Sequence, residues 1–317
     1  MLSLLFVLTG AMAGVRRPAQ LRRVERFSGR ALDALLLCLL FSTSLTFGLD
    51  PYVSSSLGSL GLKSFISCLF SVAGSVGATV LWQRAFRFPA VSTLEPDEGE
   101  DGEGKPPSLS PKALSLAVLF SAALGWAMGL ALSPPRSPSL RAWCETTSSV
   151  SLWAMLVLIG YDLGKSRVWH EMREYGVLAF SLPLAIAAGT LIGSAGAGLV
   201  TRVPLAEVLA AGSGFGWYSM AGATALRQAG AETGAYVFLS NLWRELLTVA
   251  IVPFFAGRAH PALGAALGGA TAMDSTLPAI KRSLGTQAAP WALITGTTLS
   301  ALSPFALGLF LKMRAPI

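Results

Sequence analysis

Charge is scarce in this sequence. Asp, Glu, Lys and Arg make up 13% of its 317 residues, about half the share usual in soluble domains. A water-facing globular surface is therefore not expected. Histidine is scarcer still, with only His170 and His260, both in probable loops between apolar runs. That gives no ligand set for a metal, and none is expected. The three cysteines, Cys38, Cys68 and Cys144, lie in or beside apolar runs. Their odd number and wide spacing exclude a disulfide framework or metal cluster and suit small buried apolar residues. The phosphate-binding P-loop, the G-x-S-x-G nucleophile elbow and H-E-x-x-H are all missing, so no enzyme and no organic cofactor are indicated. The net charge of +7 does not point to nucleic acid. The basic residues fall in short clusters between apolar runs, with no zinc-finger or aromatic-basic pattern.

What is abundant is apolar sequence, 53% of the chain. A bilayer span takes roughly 20 such residues. Leu2–Ala13 is a short first run, followed by basic residues rather than preceded by them, which does not fit a secretory signal. Further runs cover 31–49, 60–83, 112–132, 143–161, 175–200, 203–226, 234–256, 259–281 and 287–311. The expected fold is all-α, a polytopic membrane protein with about 8–10 transmembrane elements. Two of them, 203–226 and 259–281, are interrupted and read as broken or re-entrant. Either count puts both termini on one side.

With ten crossings and the N-terminus outside, cytoplasmic connections hold sixteen Lys and Arg residues and external ones seven, with Arg244 inside a span. The bias predicts that both termini lie outside. Three regions follow: an N-terminal membrane region 1–88, a cytoplasmic acidic Pro/Gly-rich linker 89–111, and a C-terminal membrane region 112–317. The linker, with its run PDEGEDGEGKPPSLSP, lacks apolar periodicity and should be disordered. An inverted repeat is also weighed. Ser42–Leu45 can be laid on Gly160–Leu163, and Gly74 and Gly77 then fall on Gly193 and Gly196 after a one-residue shift. Such repeats suit secondary transporters.

Polar groups at membrane depth are costly, so they mark the chemistry. Gly212–Ser219, GSGFGWYS, places Ser213, Gly214, Gly216, Trp217, Tyr218 and Ser219 in one apolar element. Broken backbone there must face protein, water or a ligand, and the aromatic pair could meet an ammonium. In the 234–256 span, Arg244 and Glu245 point about 100° apart, so each needs its own partner. Asn241 shares their side of the helix. Asp274, Ser275 and Thr276 lie between the Gly268-Gly269 pair and Pro278. This reads as a discontinuous helix around one carboxylate, or as a turn that Asp274 caps. Asp50 and Asp162 stand at span ends, where helix termination and solvation compete with a cation-binding role. Tyr161-Asp162 matches half of the intramembrane aspartyl protease signature. The required G-x-G-D partner is missing, because Asp274 follows Thr271-Ala272-Met273.

GSGFGWYSMAG (212–222), NLWREL (241–246) and GGATAMDSTLPAIKR (268–282) together resemble the LysO-type lysine exporter family of bacteria. The resemblance is close over roughly 204–311, and in order. Before that it lies in the pattern of spans and the basic first loop. It implies a secondary exporter of L-lysine, or a related basic amino acid, in the cytoplasmic (inner) membrane, driven by proton antiport. It also implies intramembrane carboxylates, best matched by Glu245 and more weakly by Asp50, whereas Asp162 departs from the family pattern. Glu245 and Asp274 would hold ammonium groups and the GSGFGWYS amides a carboxylate. The alternative is a sodium-coupled transporter of organic anions with a broken-helix ion site. Protons, or Na⁺ in the alternative, are the only co-reactants expected. The bilayer is the expected surroundings, and a homo-oligomer is left open.

Overall fold

The computed structural model describes residues 2–16, 22–49, 51–86, 111–132, 138–165, 178–256 and 259–313. Nearly all of the linker 89–111 and all of Asp50 lie outside these. The described residues form twelve α-helices and no strand. They are α1 (Leu2–Arg16), α2 (Arg22–Leu49), α3 (Pro51–Ala85), α4 (Pro111–Ala131), α5 (Pro138–Lys165) and α6 (Leu178–Thr201). Then come α7 (Leu205–Ser213), α8 (Tyr218–Ala229), α9 (Ala231–Ile251), α10 (Ala262–Gly268), α11 (Leu277–Leu284) and α12 (Ala288–Lys312). Short 3₁₀ turns cover Val252–Phe255 and Gly269–Met273.

Five stretches are long and apolar enough to cross a bilayer: Leu60–Ala85, Ser139–Tyr161, Phe180–Thr201, Ala231–Phe255 and Ala288–Lys312. Apolar side chains such as Leu62, Phe120, Trp143, Ile192 and Phe305 point outward, as lipid-facing positions should. Cys68 and Cys144 are buried as expected, but Cys38 is exposed. It occupies an outward position on α2, where an apolar thiol costs nothing against lipid.

Glycine contacts fix the helix directions. A Cβ on Gly74 would overlap the Gly189 carbonyl, and one on Gly193 would overlap that of Phe70, so α3 and α6 run antiparallel in backbone contact. Gly10 faces Val157 and Tyr161 while Gly14 faces Tyr161 and Gly164, which makes α1 and α5 parallel. Gly125 faces Phe41, and Gly129 faces Leu45 and Gly48, so α2 and α4 are parallel too. Small residues allow this approach where apolar lipid offers no other driving force for helix association. The residues laid on one another in the sequence repeat, Gly74 and Gly193, thus meet across the α3–α6 contact.

The two interrupted elements are both helical hairpins. Gly198 lies against Val208 and Gly212 against Ser194, while Gly222 lies against Phe238 and Gly234 against Leu226. Tyr236 meets Ser67 and Arg244 meets Ser75, so α9 runs parallel to α3 and against α6, and the chain descends along α7 and returns along α8. In the same way Gly268 meets Thr276 and Gly264 meets Ile280 and Leu284, so α11 folds back on α10. Eight helices then run between the two faces: α1 to α6, α9 and α12. The hairpins enter from opposite faces. The first begins where α6 ends and the second where α9 ends.

Packing sorts the helices into two groups. One contains α1, α2, α4 and α5. The other contains α3, α6, both hairpins, α9 and α12. Leu36, Leu39, Met155 and Ile159 of the first group share an apolar core with Val249, Leu277, Ile280 and Leu293 of the second. At the face where the second hairpin begins, Arg282 of α11 pairs with Asp33 of α2 at 3.1 Å.

Candidate functional site

The first hairpin turns at Gly214–Trp217, inside the GSGFGWYS stretch. Gly216 has φ 101° and Phe215 has φ 51°, a left-handed geometry that costs a side chain and that glycine accepts freely. The second turns through Gly269, with φ 62°, and unwinds until α11 starts at Leu277. The tips touch: the Ala270 N–H donates to the Phe215 carbonyl at 2.8 Å. A Cβ on Gly269 would overlap that carbonyl and crowd the Arg244 guanidinium.

One turn of α9 holds both tips. Asn241 Oδ1 accepts the Gly216 N–H at 2.7 Å, and its Nδ2 donates to the Ala211 and Val237 carbonyls at 3.0 and 2.8 Å. Arg244 donates from Nε to the Leu267 carbonyl at 3.0 Å and from Nη2 to that of Ala266 at 2.8 Å. Those carbonyls end α10 and have no partner within their own helix. Ser75 adds a hydroxyl to the Ala266 carbonyl at 2.8 Å, and Ser303 one to the Ser213 carbonyl at 2.7 Å. Asn241, Arg244, Ser213, Gly214 and Gly216 therefore build and tie the tips, with their polar groups largely spent on backbone.

Glu245 points elsewhere and makes no pair with Arg244. It is 6% exposed, and its Oε2 has no hydrogen-bond partner. Asp274 and Ser275 of the second tip lie beside it. The Ser275 N–H donates to Asp274 Oδ1 at 2.6 Å, and the Ser275 hydroxyl lies 3.4 Å from the same oxygen. Asp274 thus does not cap α11; the chain leaves it at φ −139°, ψ −96°, and α11 begins without a side-chain cap. Tyr218 is in edge contact with Phe238 at 5.4 Å, and the charges of Glu245 and Asp274 both act on it. Thr276 is buried with an unpartnered Oγ1.

Tyr218 also opens α8. The Gly216 N–H is taken by Asn241, and those of Tyr218 and Ala221 find the Gly216 and Trp217 carbonyls. Among the described residues, no acceptor meets the amides of Ser219 and Met220. A helix start with free amides favours an anion. Trp217 and Ser219 are exposed beside it, so this side of the tips is open. The site joins the buried Glu245 and the half-buried Asp274, with free amides in the chain just after Tyr218, which suits a ligand carrying both signs of charge.

Two sequence-derived candidates are not placed at the site by the described residues. Asp162 lies near the end of α5, with its side chain outside the described set, and Asp50 lies outside it altogether. Sequence reading missed the hydroxyls that surround Arg244. Ser67, Ser71, Ser75 and Thr79 form a buried row on α3, and Thr190 on α6 lies 3.3 Å from Arg244 Nη1. Their spacing of three or four residues was the available signal. A cavity of about 10 Å³ lies among Ser67, Ser71, Ser194, Ser240, Asn241 and Arg244, about the room one water needs.

A family model described as "Lysine exporter LysO" matches residues 119–311, which include both hairpins, α9 and nearly all of α12. The chain belongs to the LysO lysine exporter family. Lysine exporter LysO of Escherichia coli K12 is 25% identical over 309 residues, covering 97% of this chain and 98% of the relative. A Haemophilus influenzae Rd protein named "Putative lysine exporter" is 26% identical over 197 residues, covering 61% of this chain and 94% of the relative. No solved structure matches. The LysO region begins inside α4, so α3, whose Ser75 supports the second tip, lies ahead of the family match but within the span shared with the E. coli protein.

Proposed function

We propose that this protein is a secondary active exporter of L-lysine in the bacterial cytoplasmic membrane, driven by proton antiport. Membership in the LysO family supports the substrate. The observation that carries the mechanism is that the charges of Glu245 and Asp274 act on each other and on Tyr218, the residue ahead of the open amides of Ser219 and Met220. In this reading the lysine carboxylate sits at the start of α8 and the carboxylates take its ammonium groups. Two carboxylates in one buried site are costly to keep ionised without a counter-cation. Lysine and protons then compete for the same oxygens, and that competition couples the two flows.

The charge bias supports an orientation with both termini outside. Re-entry puts Arg227 on the outer side and the connection carrying Arg258 on the inner side. These two exchange places relative to ten crossings, so the count of sixteen inside and seven outside is unchanged. The first hairpin then enters from outside and the second from the cytoplasm.

Efflux of labelled lysine from proteoliposomes under imposed pH or Na⁺ gradients tests the proposal. A pH gradient should drive efflux and a Na⁺ gradient should not; dependence on Na⁺ alone would replace the proton by sodium. Glu245→Gln and Asp274→Asn should each lower efflux by at least about tenfold, since each removes a negative charge assigned to an ammonium of the substrate. Efflux at the unmodified rate in both would refute the site.

A further inference from the structure

We infer that one bound water bridges Arg244 and Ser240 of α9 to Ser194 of α6, beneath the end of the first hairpin's descending arm. The inference does not depend on which amino acid or ion is transported. The cavity of about 10 Å³ beside Arg244 has serine walls, from Ser67 and Ser71 on α3, Ser194 on α6 and Ser240 on α9. Ala211 and Gly212, near the end of α7, close it. A site holds a water when it has about that room and roughly two to four polar partners. Arg244 supplies the donor. A guanidinium carries five N–H groups. The Nε bond to the Leu267 carbonyl and the Nη2 bonds to the Ala266 carbonyl and the Ser75 hydroxyl account for three of them. Nη1 bonds Thr190 Oγ1 at 3.3 Å, and its second N–H has no partner among the described residues.

The serines supply acceptors. Ser71, Ser194 and Ser240 donate their hydroxyl protons to the Cys68, Thr190 and Tyr236 carbonyls, each at 2.8 Å. Ser67 shares a 2.6 Å bond with the Tyr236 hydroxyl. A hydroxyl that has given its proton away still has lone pairs to offer. Asn241 spends its amide N–H groups on the Ala211 and Val237 carbonyls. The cavity therefore presents one open N–H and several oxygen lone pairs, and that pattern selects the occupant. An anion would face lone pairs, with the hydroxyl protons turned away. A cation would face the Arg244 charge in a buried, low-dielectric setting. A neutral molecule of one heavy atom that accepts once and donates twice fits both, and that is water. Ser194 lies one turn beyond Thr190 on α6, and Ser240 one turn ahead of Arg244 on α9, so both flank the open N–H. The water thus supports the turn of α9 whose Asn241 and Arg244 hold the two hairpin tips.

Crystals of the full-length protein grown with bromide as the halide test what lies there. The expected result is density within hydrogen-bond reach of Arg244 Nη1, Ser194 Oγ and Ser240 Oγ, without anomalous bromide signal. An anomalous peak would make the site one for a monatomic anion and overturn the inference, and so would a cavity without density. A double-variant cycle in detergent tests the bridge without a crystal. The Ser194 and Ser240 hydroxyls do not bond each other. Ser194→Ala and Ser240→Ala each take one acceptor from the water, and each should lower the unfolding temperature by about 2–4 °C. The double variant should fall by clearly less than the two shifts added, because a water already loosened by the first change has less to lose at the second. Serines acting only through their own helix carbonyls would give shifts that add. Additive shifts, or no shift in either single variant, overturn the bridge.

Discussion

Arg244 brings a full positive charge to the centre of the fold and, among the described residues, meets no carboxylate there. At 2% exposure its charge is met by dipoles. The Ala266 and Leu267 carbonyls accept from it, with the Thr190 and Ser75 hydroxyls at 3.3 and 3.4 Å. Each buried acceptor left without its donor costs about 1–3 kcal/mol. Arg244→Met should therefore lower stability by roughly 2–5 kcal/mol, seen as a large drop in thermal unfolding temperature in detergent. Arg244→Lys should fall between, because one ammonium does not reproduce a fork across two successive carbonyls. Asn241→Ala should resemble the Met variant on a smaller scale, with Gly216 and Ala211 losing their partner. From the sequence, both residues could be placed on one side of α9 and given importance, because polar groups in a span are expensive. Their partners were not legible. Backbone carbonyls carry no sequence signature, and those of Ala266 and Leu267 are free only because α10 stops at Gly268.

At the scale of the element, the hairpins show what glycine spacing does and does not reveal. Gly212, Gly214, Gly216 and the Gly268-Gly269 pair marked both interruptions, since a continuous helix pays for each glycine. Whether the chain crossed or turned back could not be read from them, because a broken crossing helix and a hairpin need the same residues at the break. The answer lay in which residues face one another, Gly212 against Ser194 and Gly222 against Phe238. The same distinction separates two glycines of α3. A Cβ on Gly74 would overlap the α6 backbone, whereas one on Gly77 meets nothing within 4 Å. Gly74→Ala should destabilise by about 1–3 kcal/mol through forced separation of α3 and α6. Gly77→Ala should be neutral or stabilising by up to about 1 kcal/mol, since alanine favours the helix. Paired unfolding curves of the two variants decide this. The opposite order would mean that the α3–α6 contact is not as close as described.

For the whole molecule, the class of fold followed directly from scarce charge and recurring apolar runs. The grouping of helices did not, because α3 packs with α6 and the hairpins while α4 and α5 pack with α1 and α2. Neighbours in sequence are separated in space, and apolar lipid-facing surfaces look alike on either group. The topology makes a prediction that needs no transport assay. In a protein lacking Cys38, Cys68 and Cys144, Arg202→Cys and Glu232→Cys flank the first hairpin and should react with an impermeant thiol reagent from one side. Ala259→Cys and Gln287→Cys flank the second and should react only from the other. Labelling of the members of either pair from opposite sides would turn that hairpin into a crossing.

Asn241 and Arg244 stand three positions apart on α9, and each grips a hairpin that entered from the opposite face. Neither hairpin spans the bilayer, so the barrier between inside and outside is two half-length plugs with a seam between them. That seam hangs from less than one helical turn, about 5 Å of axis. Plugs hung so closely travel together. Opening the acidic site to one side by moving either tip would drag the other tip along. The permeability barrier and the proposed substrate site thus share one mechanical part, and a variant that loosens this turn should leak protons as well as lose lysine transport.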